Sequence, residues 1–341
     1  MSNEARSIAV VIPSLNEEKY IEKCVRSVLN SDYPADKIEV WIADGESTDS
    51  TPQILHRLSE EDSRVKHLVN THKTTPFALN LGLQASQADY LMILGAHSEI
   101  DSNYLSECAS ILDRIRDVGC VGGMLRNICL DETSSMISAA MSSPFGVGSA
   151  HFRTGAATGY VDTVAFGMYR REVFERIGYF DTDLTRNQDD EFNYRLLKHS
   201  GYRIYLTNAV FITYFVRASF EKLWRQYFQY GYWKVLVNKK HGSITTLRQL
   251  APALWVSGLV AGLVLSLLSP WLAAAYVLTV VTYFTGAVVF ASRLTEKNKP
   301  GIVRSFFILH HAYGLGYLKG ILHFLLLNRR GAIQSASRTS R

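Results

Sequence analysis

The sequence predicts an α/β protein, a mostly parallel sheet with helices on both faces, followed by membrane helices towards its C-terminal end. Three observations predict it. Short apolar runs alternate with segments of helical period from Ile8 to Leu94, the pattern of strand–helix–strand units. Each run ends abruptly in small or polar residues, as buried parallel strands do where ligands bind at their carboxyl ends. From Leu250 to Ala291 the chain is almost free of charge, in two stretches each about long enough to cross a bilayer.

Residues 8–12 are an unbroken apolar run, a buried strand, which Pro13-Ser14-Leu15-Asn16-Glu17 breaks. Asn16 suits the cap of a helix with Glu17 and Glu18 in its first turn, and Ile21, Cys24, Val25, Val28 and Leu29 recur at helical spacing. The unit then repeats. A strand at 38–42 runs into Ala43-Asp44-Gly45-Glu46-Ser47-Thr48-Asp49, and a helix follows through Ile54, Leu55 and Leu58. Residues 65–69 form a third strand. Thr75-Pro76 opens the next helix, with proline in the first turn, where its missing N–H costs nothing. The fourth strand, 90–94, delivers Gly95-Ala96-His97 to the sheet edge.

Beyond it a helix is expected over 103–115, and a strand over 120–125 in spite of Gly122 and Gly123. Residues 142–159, rich in Gly, Ser and Ala, read as a mobile loop over the site. An extended run at 161–168 precedes a helix over 171–177 that Gly178 closes. Asn187-Gln188-Asp189-Asp190-Glu191 starts another helix, with Phe192, Leu196 and Leu197 on its inner face. Carboxylates at a helix start also suit its dipole, whatever else they do.

A net charge of +5 fits nucleic acid, an anionic membrane surface or plain solubility. Position favours the membrane, because Lys239, Lys240, Arg248, Arg293, Lys297, Lys299, Arg304, Arg329 and Arg330 flank the apolar segments. Cys24, Cys108, Cys120 and Cys129 lack CxxC spacing and read as reduced core residues of a cytoplasmic domain. The first residues hold too short an apolar run for a signal peptide, so the catalytic half is expected to stay on the cytoplasmic side. The expected domains are a catalytic domain at 1–218, an aromatic and basic interfacial helix region at 219–249, a membrane region at 250–328 and a basic tail at 329–341. Within the membrane region the reading is a hairpin of 250–269 and 271–291, then a membrane or interfacial helix at 302–327. The aromatic and basic residues of 219–238 also suit base stacking, but beside a membrane segment the interfacial reading is preferred and no nucleic acid is expected as a partner.

No GxGxxG follows the first strand and no GxxxxGK[ST] occurs, so neither a dinucleotide site of that kind nor a P-loop is supported. The strand ends carry Asn16, Glu17, Asp44, Asp49 and His97 instead. Carboxylates there pair with the imide N–H of a uracil or with ribose hydroxyls, and an imidazole suits a divalent cation beside a diphosphate. Asp189 or Asp190 can take the proton of an attacking hydroxyl.

Pro13-Ser14-Leu15-Asn16-Glu17, Ala43-Asp44-Gly45-Glu46-Ser47-Thr48-Asp49, Gly95-Ala96-His97 and Gln188-Asp189-Asp190-Glu191-Phe192-Asn193-Tyr194-Arg195 resemble, in order and spacing, the motifs of family 2 glycosyltransferases with a GT-A fold. The resemblance runs from residue 8 to about 235, and within the family the chain is most similar to the ExoA-like enzymes of succinoglycan assembly. It implies an inverting hexosyl transfer from a nucleotide diphosphate sugar, a UDP-sugar being favoured, with a divalent cation (Mn²⁺ or Mg²⁺) on the diphosphate. The implied acceptor is a hydroxyl of a lipid-linked molecule or glycan in cell-surface polysaccharide or glycolipid assembly, at the inner (plasma) membrane. By position, Pro13, Ser14, Asn16, Glu17, Asp44, Asp49 and Ala96 would bind the donor, and His97 would be the metal ligand in the last place of a DxD motif. Asp189 would be the base, with Asp190 as the alternative, and Arg195 would close that motif. Two departures stand out: Gly95 replaces the first acid of DxD, and Gln188 replaces the Glu expected before Asp189. A polyprenyl-phosphate sugar synthase of the same family and an inactive membrane scaffold are the alternatives. A nucleotidyltransferase would need a Gly-rich loop bearing Arg and Lys after the first strand, and residues 13–17 are not one.

Overall fold

The computed structural model describes residues 5–148, 158–216, 219–294 and 297–327. They form two compact units, one from residues 1–128 and 151–215, the other from 129–150 and 216–341.

In the first unit, β1 (Ile8–Ser14), α1 (Ile21–Leu29), β2 (Ile38–Asp44), α2 (Thr51–Glu61), β3 (Val65–Val69), α3 (Thr75–Ala85) and β4 (Tyr90–Ile93) make a parallel half-sheet in the order β3-β2-β1-β4. Every residue from Ile8 to Ile12 is wholly buried because both faces of β1 are covered. Ile8, Val10 and Ile12 pack into the cluster that holds α1, while Ala9 and Val11 join α3 on the other face. The order reverses at β1, with β2 and β4 on opposite sides, and that is where an open α/β sheet leaves a crevice at its carboxyl edge.

The parallel pairing stops at β4. After β5 (Ser98–Ile100), α4 (Tyr104–Arg114) and β6 (Val118–Cys129), the helices α5 (Glu132–Met141) and α6 (Pro144–Val147) belong to the second unit. The first unit resumes with β7 (Gly159–Val161), β8 (Met168–Arg170), α7 (Arg171–Ile177), α8 (Gln188–Arg195) and β9 (Arg203–Val216). β8 runs antiparallel to both β4 and β6, and β9 antiparallel to both β5 and β7, so the sheet is mixed. Gly122 and Gly123 sit inside β6 because their neighbours leave no room for a side chain. A Cβ on Gly123 would lie 2.6 Å from the Val210 carbonyl oxygen, and one on Gly122 2.6 Å from Val164.

Four local expectations are corrected. Asn16 does not cap a helix: it takes a left-handed conformation, and α1 begins only at Ile21. Residues 161–168 are not one extended run, because the chain bends between β7 and β8, with Phe166 left-handed at φ 51°. Leu197 is exposed, since a π-turn over Leu196–Ser200 follows α8 and rotates it out while Leu196 stays buried. Residues 142–148 are not a loop but carry a short helix. Ser143 caps α6, Pro144 starts it, and Phe145 packs on Phe290 and Phe306 within the second unit. The remainder of that expected loop, 149–157, lies outside the described residues.

The second unit is helical: α5, α6, α9 (Phe220–His241), α10 (Ala251–Ser266), α11 (Pro270–Ser292) and α12 (Lys299–Gly320). α12 is its spine, in contact with α5, α9, α10 and α11. Glycines let α9 lie against it, since a Cβ on Gly231 would sit 2.0 Å from the Tyr313 carbonyl oxygen. Two segments, Leu247–Ser266 and Pro270–Ser292, are long and apolar enough to cross a membrane, and only 11% and 6% of their apolar windows are buried. Leu254, Val260, Leu263, Trp271, Leu278 and Val281 stand exposed along them, a surface that fits a membrane protein. α12 is different, burying Ile302, Phe306, Leu309 and Ala312 within the unit.

Candidate active site

The carboxyl edge of the parallel half-sheet gathers most of the residues singled out in the sequence. Register sets Ser14 beside Asp44 on β1 and β2, and Val11 beside Ile93 on β1 and β4, so the loops after all three strands emerge together. Two of those loops are clasped. Asn16 Oδ1 accepts from the Thr48 N–H at 2.8 Å, and the Asn16 N–H donates to Ser47 Oγ at 2.8 Å. The Glu17 N–H donates to Thr51 Oγ1, and the Glu18 N–H to Asp49 Oδ2. In return Glu18 Oε2 accepts from the Ser50 N–H at 3.0 Å.

Asp44 and Asp49 hold this geometry. Asp44, nearly buried at the end of β2, accepts from the Ser47 N–H at 2.9 Å and the Ser47 hydroxyl at 2.6 Å. Asp49 Oδ1 accepts from the Thr51 N–H. Burial alone would raise the Asp49 carboxyl, but the bonds from Thr51 and Glu18 outweigh it and hold the group below the ordinary aspartate range. A third loop joins through Lys73, whose Nζ lies 2.7 Å from Glu46 Oε2. Among the described residues, the non-glycine residues with left-handed backbone are Asn16, Glu46, Lys73, Phe166 and Asn187. The first three follow β1, β2 and β3, and the other two precede β8 and α8. Such conformations persist where the surroundings over-determine them, and they gather at functional sites.

Ala96 is buried, and His97 lies in the turn between β4 and β5, not at a bare strand end. Its ring meets Tyr214 edge-on at 4.9 Å, and its carbonyl accepts from the Phe215 N–H. Nδ1 is buried, makes no hydrogen bond among the described residues and lies 3.5 Å from Glu17 Oε1. Gly95 sits in a tight place: a Cβ there would lie 3.0 Å from the Phe166 ring and 3.3 Å from Ser98 Oγ. Among the described residues no group of three His, Cys, Asp or Glu side chains stands ready as a metal cage.

The downstream acids stand on a separate element. Asp189 and Asp190 are in the first turn of α8, Asp189 exposed and Asp190 half-buried. Asn193, one turn on and buried, anchors that helix by accepting from the Tyr169 hydroxyl at 3.2 Å and donating to Thr163 Oγ1 at 2.9 Å. Burial pushes the Tyr169 phenol well above its ordinary value, Cys120 adds to this, and so does the charge of Asp189. Gln188 keeps Oε1 buried without a hydrogen bond among the described residues. Arg195 is taken up by Glu191 and by the carbonyls of Ile177 and Tyr179.

Sequence reasoning missed Ser47 and Thr51, which bind the loops together, Tyr214, which meets the His97 ring, and Phe166, which stacks on Tyr214. The hydroxyls were visible as a polar run beside Asp44 and Asp49. Nothing in the local sequence marks Phe166 or Tyr214, because sheet pairing alone brings them to the turn.

Residues 9–178 match the family model described as glycosyl transferase family 2. The chain is 31% identical over 241 residues, 68% of its own length and 74% of the relative's, to the dolichyl N-acetyl-alpha-D-glucosaminyl phosphate 3-beta-D-2,3-diacetamido-2,3-dideoxy-beta-D-glucuronosyltransferase of Methanococcus voltae. It is 30% identical over 324 residues, 93% of its own length and 96% of the relative's, to succinoglycan biosynthesis protein ExoA of Rhizobium meliloti (strain 1021). Among solved structures it is similar to mannosyltransferase PcManGT from Pyrobaculum calidifontis in complex with GDP-Man and Mn²⁺, at 18% identity and a TM-score of 0.63 over 94% of this chain and 88% of that one. S. aureus TarS 1-349 in complex with UDP-GlcNAc is similar at 14% identity and a TM-score of 0.53, over 92% of each chain. At these identities the two structures show a shared fold and nothing about the donor.

Proposed function

Because the chain belongs to glycosyltransferase family 2, we propose that this glycosyltransferase moves a sugar, with inversion, from a nucleoside diphosphate sugar to a hydroxyl of a lipid-linked acceptor. The reaction takes place at the inner membrane, with the catalytic unit on the cytoplasmic side. The observation that carries this reading is the clasp of the β1 and β2 loops beside His97, at the edge where the strand order reverses. The likeness to a transferase named for a dolichyl phosphate-linked sugar supports a lipid-linked acceptor, and so do two unburied apolar helices.

In this reading Pro13, Ser14, Asn16, Asp44, Asp49 and Ala96 shape the donor's nucleotide pocket. The acceptor oxygen attacks the anomeric carbon from the face opposite the diphosphate. Its proton passes to Asp189, and the nucleoside diphosphate departs with the electron pair of the broken bond. Asp189 stands exposed in the first turn of α8, where an acceptor hydroxyl can reach its carboxylate.

The residues present fit a divalent cation, in a particular form. His97 has one ring nitrogen buried against a carboxylate, and among the described residues no three-residue cage surrounds it, so the imidazole would be the protein's ligand and donor oxygens would complete the site. When bound, the cation neutralises charge on the leaving diphosphate. A single neutral nitrogen ligand suits Mn²⁺ better than Mg²⁺.

The test is transfer by the purified full chain, with UDP-, GDP- and dTDP-sugars offered against a polyprenyl-diphosphate-linked sugar, and the anomeric configuration of the product read by NMR. Transfer with inversion, supported by Mn²⁺ above Mg²⁺ and abolished by chelation, is expected. If no donor is transferred or hydrolysed, the chain is a scaffold. Glycosylation of a bare polyprenyl phosphate in preference to the linked sugar would make it a polyprenyl-phosphate sugar synthase.

A further inference from the structure

We propose that Glu17 is a positioning residue for His97: its carboxylate holds the imidazole with Nδ1 turned inward, leaving Nε2 as the nitrogen offered to a cation. This rests on the reading of His97 as the cation ligand, and it moves Glu17 from the nucleotide to the histidine.

Neighbouring strands bring the two residues together, Glu17 in the loop after β1 and His97 in the turn after β4. Their backbones are fixed. The Glu17 N–H is held by Thr51 Oγ1 at 2.8 Å, and its carbonyl accepts from the N–H groups of Tyr20 and Ile21. On the other side the Phe215 N–H binds the His97 carbonyl, and Tyr214 lies edge-on to the ring. Between these anchors Nδ1 is closed to water and 3.5 Å from Glu17 Oε1, too long for a hydrogen bond. A buried ring nitrogen left unpaired is unfavourable, and the carboxylate beside it, itself 13% exposed, is a charged acceptor that a small side-chain rotation brings into range.

The chemistry gives this arrangement a purpose. An imidazole donating its second N–H to a carboxylate is held in one tautomer, and its free nitrogen becomes a better metal ligand. Position 95 carries no acid, so the negative charge missing there is supplied one shell further out, through the imidazole.

The experiment is Mn²⁺ binding to the full chain in detergent, with UDP or GDP added, read from the free-ion EPR signal. His97→Ala should weaken binding by 30-fold or more, and Glu17→Ala by about 10–100-fold. Glu17→Gln, which keeps the shape and an acceptor oxygen, should lose less. Adding Glu17→Ala to His97→Ala should weaken binding no further. If the two losses multiply, Glu17 acts on the metal or nucleotide without His97, and the positioning role is wrong. Wild-type affinity in both Glu17→Ala and Glu17→Gln overturns it as well, while the His97 reading survives. Wild-type affinity in His97→Ala removes the cation reading itself, and the inference falls with it.

Discussion

Arg195 grips Glu191 one helical turn earlier, with Nε 2.6 Å from Oε1 and Nη2 2.9 Å from Oε2. The guanidinium also donates to the carbonyls of Ile177 and Tyr179, so it fastens α8 to the end of α7. Both side chains are largely buried, 17% and 3% exposed. Truncating one partner of such a pair strips a buried charge of its counter-charge, which costs about 3–5 kcal/mol. Arg195→Ala should therefore lower the unfolding free energy by about that amount, measured by chemical denaturation. Arg195→Lys should recover only part, since an ammonium cannot reproduce the two-pronged contact. A variant that unfolds like the wild type but has lost turnover would show that Arg195 acts on substrate instead.

Asp189 offers the contrasting case. It is exposed, and its Oδ1 accepts from the neighbouring Asp190 N–H. Asp189→Asn should leave the melting temperature within a degree or two, while turnover falls by roughly 10² or more through loss of the general base. Asp190→Asn serves as the control. If that variant is inactive and Asp189→Asn works, the base is Asp190, the less exposed of the two.

Much of the fold was legible in the sequence, for reasons visible at particular residues. The uninterrupted apolar run at Ile8 could only be a buried strand, and Gly178 marked the end of α7 by being able to take a φ of 75°. That the residues singled out after β1, β2 and β4 would come together was legible because parallel strands deliver their carboxyl ends to one edge. Interactions set by distant pairing were not legible. Asn16 read as a helix cap because its partner, Thr48, lies 32 residues away on another loop. Phe166 could not be matched to Gly95, nor Tyr214 to His97, before β8 and β9 were placed. Arg195 was read as closing a catalytic motif, and the partners that occupy it became visible only once α8 was folded against α7.

The clasp itself should be sensitive to acid. Asp49 has a folded pKa below its unfolded value of about 3.8, because the bonds from Thr51 and Glu18 outweigh the effect of burial. Its contribution is then fully present above that ordinary value and is lost as the pH falls through the depressed folded value. Unfolding free energy measured from pH 6 down to about pH 2 should fall less steeply for Asp49→Asn than for the wild type, with the difference confined to the acid end. Parallel curves would mean that these bonds are replaced by water at no cost.

The hairpin carries the topological prediction. Ser269 caps α11, its Oγ accepting from the Trp271 N–H, so α10 and α11 reverse direction within a tight turn. Two crossings return the chain to the side it left, which puts Arg293, Lys297 and Lys299 on the same side as the catalytic unit, as the positive-inside rule requires. α12 then packs along α9 within its own unit, with Arg304 over the Phe220 ring at 4.2 Å and Lys319 over the Phe228 ring at 5.5 Å. A cation in the middle of a lipid-facing span is unfavourable, whereas one lying over an aromatic face near the interface is stabilised. A third crossing would also carry Arg329, Arg330, Arg338 and Arg341 outside. In intact cells an impermeant maleimide should therefore label Ser269→Cys at the hairpin tip and leave Ser340→Cys in the tail unlabelled until the membrane is permeabilised. Equal labelling of the two sites from outside would mean that the helix after the hairpin crosses the bilayer, and its packing along α9 would then have to occur within the membrane.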